Sequence, residues 1–468
     1  MQSSKILQMK IGKTKLRIKL SLFEKILLAG LFLVSVIVFT NHFAVAGKVL
    51  TLFIGLSFAY SVLKKDGVYL FSAAMIVFSP FIGLLRQHVI SYNGVSIILF
   101  MTLVYWFVRK RQLFINTMFS RILVGIFLFV MIFVFYGLMI GGEILQFTRI
   151  METMMMLFVT RLFLTNYDYF KKYNFYFIIS AIMLVASLAK NASTRFEFKD
   201  GASESVSADP SMLSIGLVLS AVLIISDRAN WIGFFADNKR KLIKNIALVV
   251  IMFLLVVTTS RIGFLMLTSV LFFWLALRKF NPKYFLPIIG ALFVTFTIVS
   301  MSTYSDLADK WIEKTFSNEK GLAGASTGRA NQWSEAFLYF EEEGLWKVLT
   351  GYGPGKGQEF SLKYSTKIED AIDSMYGKAF ELHSFYLNVM VEYGLIAFAV
   401  FLLFMFRRFK KLFKIYRIQK TELPIFALIL YLTYIITVSG FGAVPGIVLG
   451  ISVCDFKLNK TKRSYAGK

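Results

Sequence analysis

The chain has 468 residues, of which 57% are hydrophobic, 16% aromatic and only 17% charged, a balance that excludes a water-soluble globular protein. A formal charge of +25 would suggest nucleic acid for a soluble domain. Here the cations fall in short clusters between apolar spans, where they report topology, and no nucleic-acid partner is expected.

The first 25 residues hold Lys5, Lys10, Lys13, Lys15, Arg17, Lys19 and Lys25 before an apolar run that begins near Ile26. Ala44-Val45-Ala46 resembles a signal-peptidase site, but the basic region and apolar span before it are too long for a cleaved leader. A retained first helix with a cytoplasmic N-terminus is expected. Apolar runs then predict helices near 26–43, 48–63, 68–85, 90–108, 121–140, 145–165, 173–189, 211–226, 243–259, 262–278, 284–301, 384–405, 422–439 and 441–455. The run at 145–165 is interrupted by Arg149, Glu152 and Arg161, and the last is short and glycine-rich. Their length suits helices rather than barrel strands. The expected fold is an all-α polytopic membrane bundle of about fourteen spans with a large extracytoplasmic loop containing short helices.

Cationic clusters mark the cytoplasmic side. Lys64-Lys65, Arg109 to Arg111, Lys171-Lys172, Lys239 to Lys241, Arg278-Lys279, the run from Arg407 to Lys420 and the tail from Lys457 all fall on one side of a fourteen-span count. The other side receives short turns, a polar loop at 190–210, and a long segment at 302–382 with 9 Lys or Arg against 13 Asp or Glu. The chain therefore divides into a transmembrane bundle at 1–301, an extracytoplasmic loop subdomain at 302–383, and C-terminal spans with a basic tail at 384–468. No internal repeat or low-complexity tract is evident. Cys454 is the single cysteine, which excludes an internal disulfide or thiolate metal cage and leaves inert packing as its expected role.

Within the long loop, a helix is predicted from Gly328 through Trp333, Phe337 and Phe340. This aromatic stripe either packs against the rest of the loop or rests on the membrane surface. Gly344 and the run Gly351-Tyr352-Gly353-Pro354-Gly355-Lys356-Gly357 then turn the chain. The run lacks the Ser or Thr that comes after the lysine of a nucleotide loop, so turn formation is the expected role.

Few residues outside the scaffold can carry chemistry. Arg261, in Ser260-Arg261-Ile262-Gly263, lies at the outer tip of a hairpin, against the topological preference for arginine. Either it snorkels or pairs with a loop carboxylate, or it offers a fixed guanidinium to phosphate oxygens. Arg329 opens the loop helix, where its guanidinium and the free amides can face one anion, or it is a solvated surface arginine. His383 is one of three histidines and stands where the loop re-enters the bilayer. Its imidazole is either an interfacial hydrogen-bonding group or a base for a sugar hydroxyl, a free imidazole titrating near ~6.5. Arg195 and Lys199 in the smaller outer loop are solvated charges or contacts for a second anionic substrate. His42 with His88 does not have a zinc spacing, and Glu369, Asp370 and Asp373 lack the calcium-loop pattern, so no metal site is expected. Met154-Met155-Met156 reads as adaptable packing.

In order along the chain, Ser260-Arg261-Ile262-Gly263-Phe264, Gly328-Arg329 with Trp333, Gly351-Tyr352-Gly353-Pro354-Gly355, and His383 with Tyr386, Leu387, Glu392 and Gly394 resemble the O-antigen ligase and polymerase family of bacterial envelope proteins, the Wzy-type domain. The likeness covers roughly 251–401. It implies a cofactor-free, metal-independent membrane glycosyltransferase of the bacterial inner membrane, acting outside the cytoplasm on an undecaprenyl-pyrophosphate-linked glycan. By the same likeness Arg261 and Arg329 contact the pyrophosphate, and His383 is the base or positions the acceptor. Glu392 and Gly394 support them, and a flippase and a chain-length regulator are expected partners. Asparagine commonly stands after the family's histidine, whereas Ser384 stands after His383 here, so that amide's hydrogen bond must be remade or absent. A polymerase is the expected activity, since fourteen spans and a second polar outer loop suit it. A ligase that moves finished glycan to lipid A core or protein is the alternative. A flippase of lipid-linked sugars is a third reading, although it would more often show pseudo-symmetric halves and polar midplane residues.

Overall fold

A computed structural model describes residues 7–11, 14–18, 20–85, 92–118, 128, 131–132, 135–141, 144–190, 197–200, 204–207, 209–226, 237–277, 329–365, 384–419, 421–436 and 442–453. The all-α architecture holds. The helices are α1 (Leu22–Phe39), α2 (Phe43–Val62), α3 (Gly67–Leu85), α4 (Tyr92–Arg109), α5 (Arg111–Met118), α6 (Ile144–Leu164), α7 (Tyr167–Leu188), α8 (Pro210–Ile225), α9 (Asp237–Val257), α10 (Arg261–Leu277), α11 (Arg329–Glu342), α12 (Leu345–Thr350), α13 (Gly357–Ser365), α14 (Phe385–Glu392), α15 (Gly394–Gln419), α16 (Leu423–Tyr434) and α17 (Ala443–Ser452). Among the described residues, α1, α2 and α3 are each long and apolar enough to cross a membrane, and six shorter apolar helices accompany them. Two small antiparallel hairpins are also present, β1 (Leu7–Ile11) with β2 (Thr14–Ile18), and β3 (Glu197–Asp200) with β4 (Glu204–Ser207).

Individual helices end where the chemistry of their termini dictates. Ser21 and Glu24 form a capping box at the start of α1, and Glu24 also accepts a hydrogen bond from Tyr176 at 2.8 Å and an ion pair from Lys172 at 3.2 Å. The apolar run at 145–165 is a helix despite its charges. Arg161 donates to the Val453 carbonyl and Arg408 to the Ser452 carbonyl at 2.8 Å. Two guanidiniums thus meet the carbonyl end of α17, where helix termini favour cations.

The glycine-rich last span packs its spacing directly onto α6. A β-carbon at Gly446 would come within 2.6 Å of the Thr153 carbonyl, and one at Gly450 within 2.8 Å of the Thr160 Cβ. Gly442 both accepts from and donates to the Thr153 hydroxyl, with its own N–H at 2.7 Å. Small residues four apart let two backbones approach closely where no hydrophobic force between helices operates. Met154 and Met156 are buried in the same core, as packing residues.

One predicted span is broken. The run expected at 384–405 is two helices, α14 and α15, joined at Tyr393, because Gly394 adopts a φ of +82°. Helix α15 then continues through the basic run as far as Gln419. The loop helix appears at α11 as expected, but its aromatic stripe divides. Trp333 and Phe340 pack against a small core of Ala336, Tyr339, Val348, Phe360, Tyr364, Leu387 and Val391, while Phe337 is exposed. This core includes α14 residues, so the helix after His383 is built into the loop.

Candidate functional site

Arg261 is the first residue of α10, and the three residues before it build the tip of the hairpin. The Thr258 hydroxyl donates to the Leu255 carbonyl at 2.7 Å, and Thr259 sits in the left-handed region at φ +50°. That conformation is costly for a β-branched residue and persists only where its surroundings impose it. Ser260 caps α10, accepting from the Gly263 N–H at 3.1 Å, and its hydroxyl lies 3.1 Å from that of Ser214 on α8. A β-carbon on Gly263 would approach the Ser214 Cβ to 2.6 Å. In Ser260-Arg261-Ile262-Gly263, the serine is therefore the cap and the glycine the close contact. Arg261 is left partly buried at the helix head.

Arg329 begins α11; its side chain lies outside the described residues, as do His383, His88, Arg195, the Lys199 side chain and the set Glu369, Asp370 and Asp373. The Lys199 backbone pairs with Ser205 across β3 and β4, and His42 precedes α2 in an exposed position. Ser384, next after His383, accepts at its hydroxyl from the Leu387 N–H and caps α14. Serine and asparagine cap helices comparably well, and Ser384 fills the cap position here. The Phe385 N–H donates to the Ile435 carbonyl at 3.1 Å, and the Tyr386 hydroxyl to the Leu432 carbonyl at 3.2 Å. The entry to α14 is thus pinned to the end of α16.

The other end of α14 is clamped by the glycine run. Glu392 is almost wholly buried at 1% exposure, and its carboxylate accepts from the Gly355 N–H at 2.8 Å. The Tyr352 N–H donates to the Val391 carbonyl at 2.7 Å and the Gly353 N–H to the Glu392 carbonyl at 3.1 Å. Two backbones meet so closely that a β-carbon on Gly394 would lie 2.2 Å from the Leu349 carbonyl oxygen, and one on Gly351 2.4 Å from that of Glu392. Both glycines have positive φ, at +82° and +92°, which only glycine adopts without strain. The run is more than a turn: it is a docking surface for the Glu392–Gly394 corner. Asn388, one turn before Glu392, is also buried, and its Oδ1 has no hydrogen-bond partner among the described residues.

Arg261 and this corner share one end of the bundle. The Phe273 and Phe409 rings lie 6.2 Å apart, and the Tyr416 hydroxyl donates to the Leu277 carbonyl at 3.5 Å. Both contacts advance together along α10 and α15, so the two helices run in the same direction. Arg261 is about 18 Å along the axis before Phe273, level with the first turns of α15 after Gly394.

Two loop carboxylates have opposite surroundings. Glu343 receives hydrogen bonds from Lys363 at 2.6 Å, Lys347 at 2.9 Å and Tyr364 at 2.8 Å. These, led by Lys363, hold it down to about 2. Glu335 is buried with the Ser361 hydroxyl donating at 3.2 Å. Burial pushes it up to about 7, the hydrogen bond only partly opposing this. Neither has a distinguishing signal in the sequence, since tertiary hydrogen bonds decide the one and burial the other. Among the described residues no three His, Cys, Asp or Glu side chains gather as a metal-binding group would.

Comparison with curated proteins found no match to the chain. A family model described as O-Antigen ligase matches residues 246–402, a segment that begins within α9, contains Arg261, Arg329 and His383, and ends within α15 after the clamped corner. Over residues 246–402 the chain is thus similar to the O-antigen ligase family, the segment in which the sequence already resembles it.

Proposed function

We propose that this protein is a polymerase of bacterial surface polysaccharide in the inner membrane, which transfers glycan from undecaprenyl pyrophosphate to a lipid-linked acceptor outside the cytoplasm. The family match at 246–402 supports glycan transfer, since that segment holds the two arginines and the histidine with the clamped corner; the choice of polymerase over ligase rests on the fourteen expected spans and the second polar outer loop at 190–210. The acceptor hydroxyl oxygen attacks the anomeric carbon, the bond from that carbon to the diphosphate breaks, and the polyprenyl diphosphate leaves with the electron pair. His383 takes the hydroxyl proton on an imidazole nitrogen. Arg261 and Arg329 hold the diphosphate oxygens and stabilise the charge that grows on them. A diphosphate is a weakly basic leaving group, so guanidinium charge replaces a general acid, and no metal or cofactor is required.

A ligase that passes finished glycan to lipid A core or protein is the second reading, favoured by the description of the matching family. Deletion of the gene separates the two. Loss of the ladder with single-repeat products retained is the polymerase result; accumulation of free lipid-linked polymer is the ligase result. His383→Ala is expected to lower transfer by about 10²–10⁴-fold, and Arg261→Ala by about 10²–10³-fold, with membrane insertion unchanged. Full activity in either variant removes that residue from the mechanism. A flippase and a chain-length regulator are the partners this reading expects.

A further inference from the structure

We infer that the short helix α12 is a membrane-seated foot of the loop, with Leu345 and Trp346 inserted at the headgroup boundary of the leaflet facing the loop. Both are large apolar side chains left bare, at 75% and 76% exposure. The rest of α12 is not bare: Val348 is buried in the loop core, and the Tyr339 hydroxyl donates to the Lys347 carbonyl at 2.8 Å. The exposed pair is not among the residues of the loop core.

The C-terminal end of α12 sets its height. Leu349 and Gly351 lie against the backbone of Gly394, the first residue of α15. From there α15 presents Ile396, Val400 and Leu403 outward at helical spacing, each about half exposed, which is the lipid-facing stripe of a membrane helix. Gly353 abuts the Ile140 side chain, at the end of the predicted 121–140 span, so a second part of the bundle fixes the same level. Trp346 precedes Leu349 by about 5 Å along the helix axis. One turn of α12 thus separates Trp346 from Leu349, which touches the residue where α15 and its exposed stripe begin. Tryptophan with a neighbouring lysine is the side-chain pair that settles at this boundary, the ring in the interface and the ammonium in water. Lys347 fits this: its ammonium sits 2.9 Å from Glu343 and over the Tyr352 ring. The occupant of the bare face is lipid.

The test needs no enzymatic assay, so its failure is distinct from failure of the catalytic proposal. The full chain carrying Cys454→Ser receives one cysteine at a time, as Trp346→Cys, Leu345→Cys or the control Glu341→Cys, and each is labelled with an environment-sensitive fluorophore. Reconstitution into vesicles of phosphatidylethanolamine and phosphatidylglycerol is expected to shift emission at 345 and 346 to the blue. Quenching at both should be stronger by spin labels near the lipid glycerol than by labels deep in the chains. Position 341 should answer only to aqueous iodide. The inference is overturned if 345 and 346 behave as 341 does, or if both are shielded from lipid-borne and aqueous quenchers alike, since protein rather than lipid would then cover them.

Discussion

Glu335 and Glu392 are both buried carboxylates, yet the structure gives them different work. Glu335 has burial and one hydroxyl, and its folded pKa of about 7 lies above the ordinary carboxylate value of 4.5. A carboxyl raised in this way gives stability that is fully present below pH ~4.5 and is lost as pH rises through ~7. The loss is about 3 kcal/mol over that window. Glu335→Gln should therefore abolish the decline in loop stability between pH 5 and 8, read as resistance of the loop to limited proteolysis; an unchanged decline would contradict the assignment. Glu392 instead holds the glycine run by its carboxylate and its carbonyl. Gly394→Ala would force a β-carbon onto the Leu349 carbonyl and a left-handed backbone onto alanine, at about 1–3 kcal/mol for the backbone alone. The expected result is a protease-sensitive loop and loss of transfer in a chain that still inserts. Glu392 and Gly394 were legible as motif residues at a fixed distance from His383. Their task was not, because it depends on backbone approach between segments some forty residues apart.

At the scale of elements, the apolar runs read the helices well among the described residues, since burial in lipid demands long uninterrupted apolar stretches that few other structures need; the run at 284–301 and most of that at 121–140 lie outside the described residues. The exceptions have local causes. The span at 384–405 breaks at Gly394 because the glycine run docks there, a tertiary event with no signature in hydropathy. Hairpin β1–β2 did leave a signal, the alternation in Leu7-Gln8-Met9-Lys10-Ile11 and Thr14-Lys15-Leu16-Arg17-Ile18, which is the period of a strand. The same stretch is dense in lysine, which reports topology and masks the strand period. The glycines of α17 were visible as composition, while their partner surface on α6 was not. Gly446→Leu or Gly450→Leu is expected to separate α17 from α6, a cost of about 1–3 kcal/mol or more from overpacking. A lower unfolding temperature in detergent, with Gly83→Ala as a neutral control in open space, would check this; equal stability would refute the close-packing role.

For the whole molecule, the polar chemistry gathers at one end of an apolar bundle. Helix α10 with Arg261 at its head, the clamped corner before α15 and the pinned entry to α14 lie in one family domain, and the loop core closes over α14 just after His383. An enzyme acting on a lipid-linked diphosphate needs this arrangement, with the isoprenoid in the bilayer and the sugar in water. The most direct measurement supplies the purified protein, in vesicles, with a synthetic undecaprenyl-pyrophosphate-linked repeat and no other acceptor, and tracks product length. The account predicts a ladder of lengthening lipid-linked chains with release of undecaprenyl pyrophosphate, both lost in His383→Ala. Consumption of donor only after a lipid A core or protein acceptor is added, or a ladder that persists in His383→Ala, would contradict it.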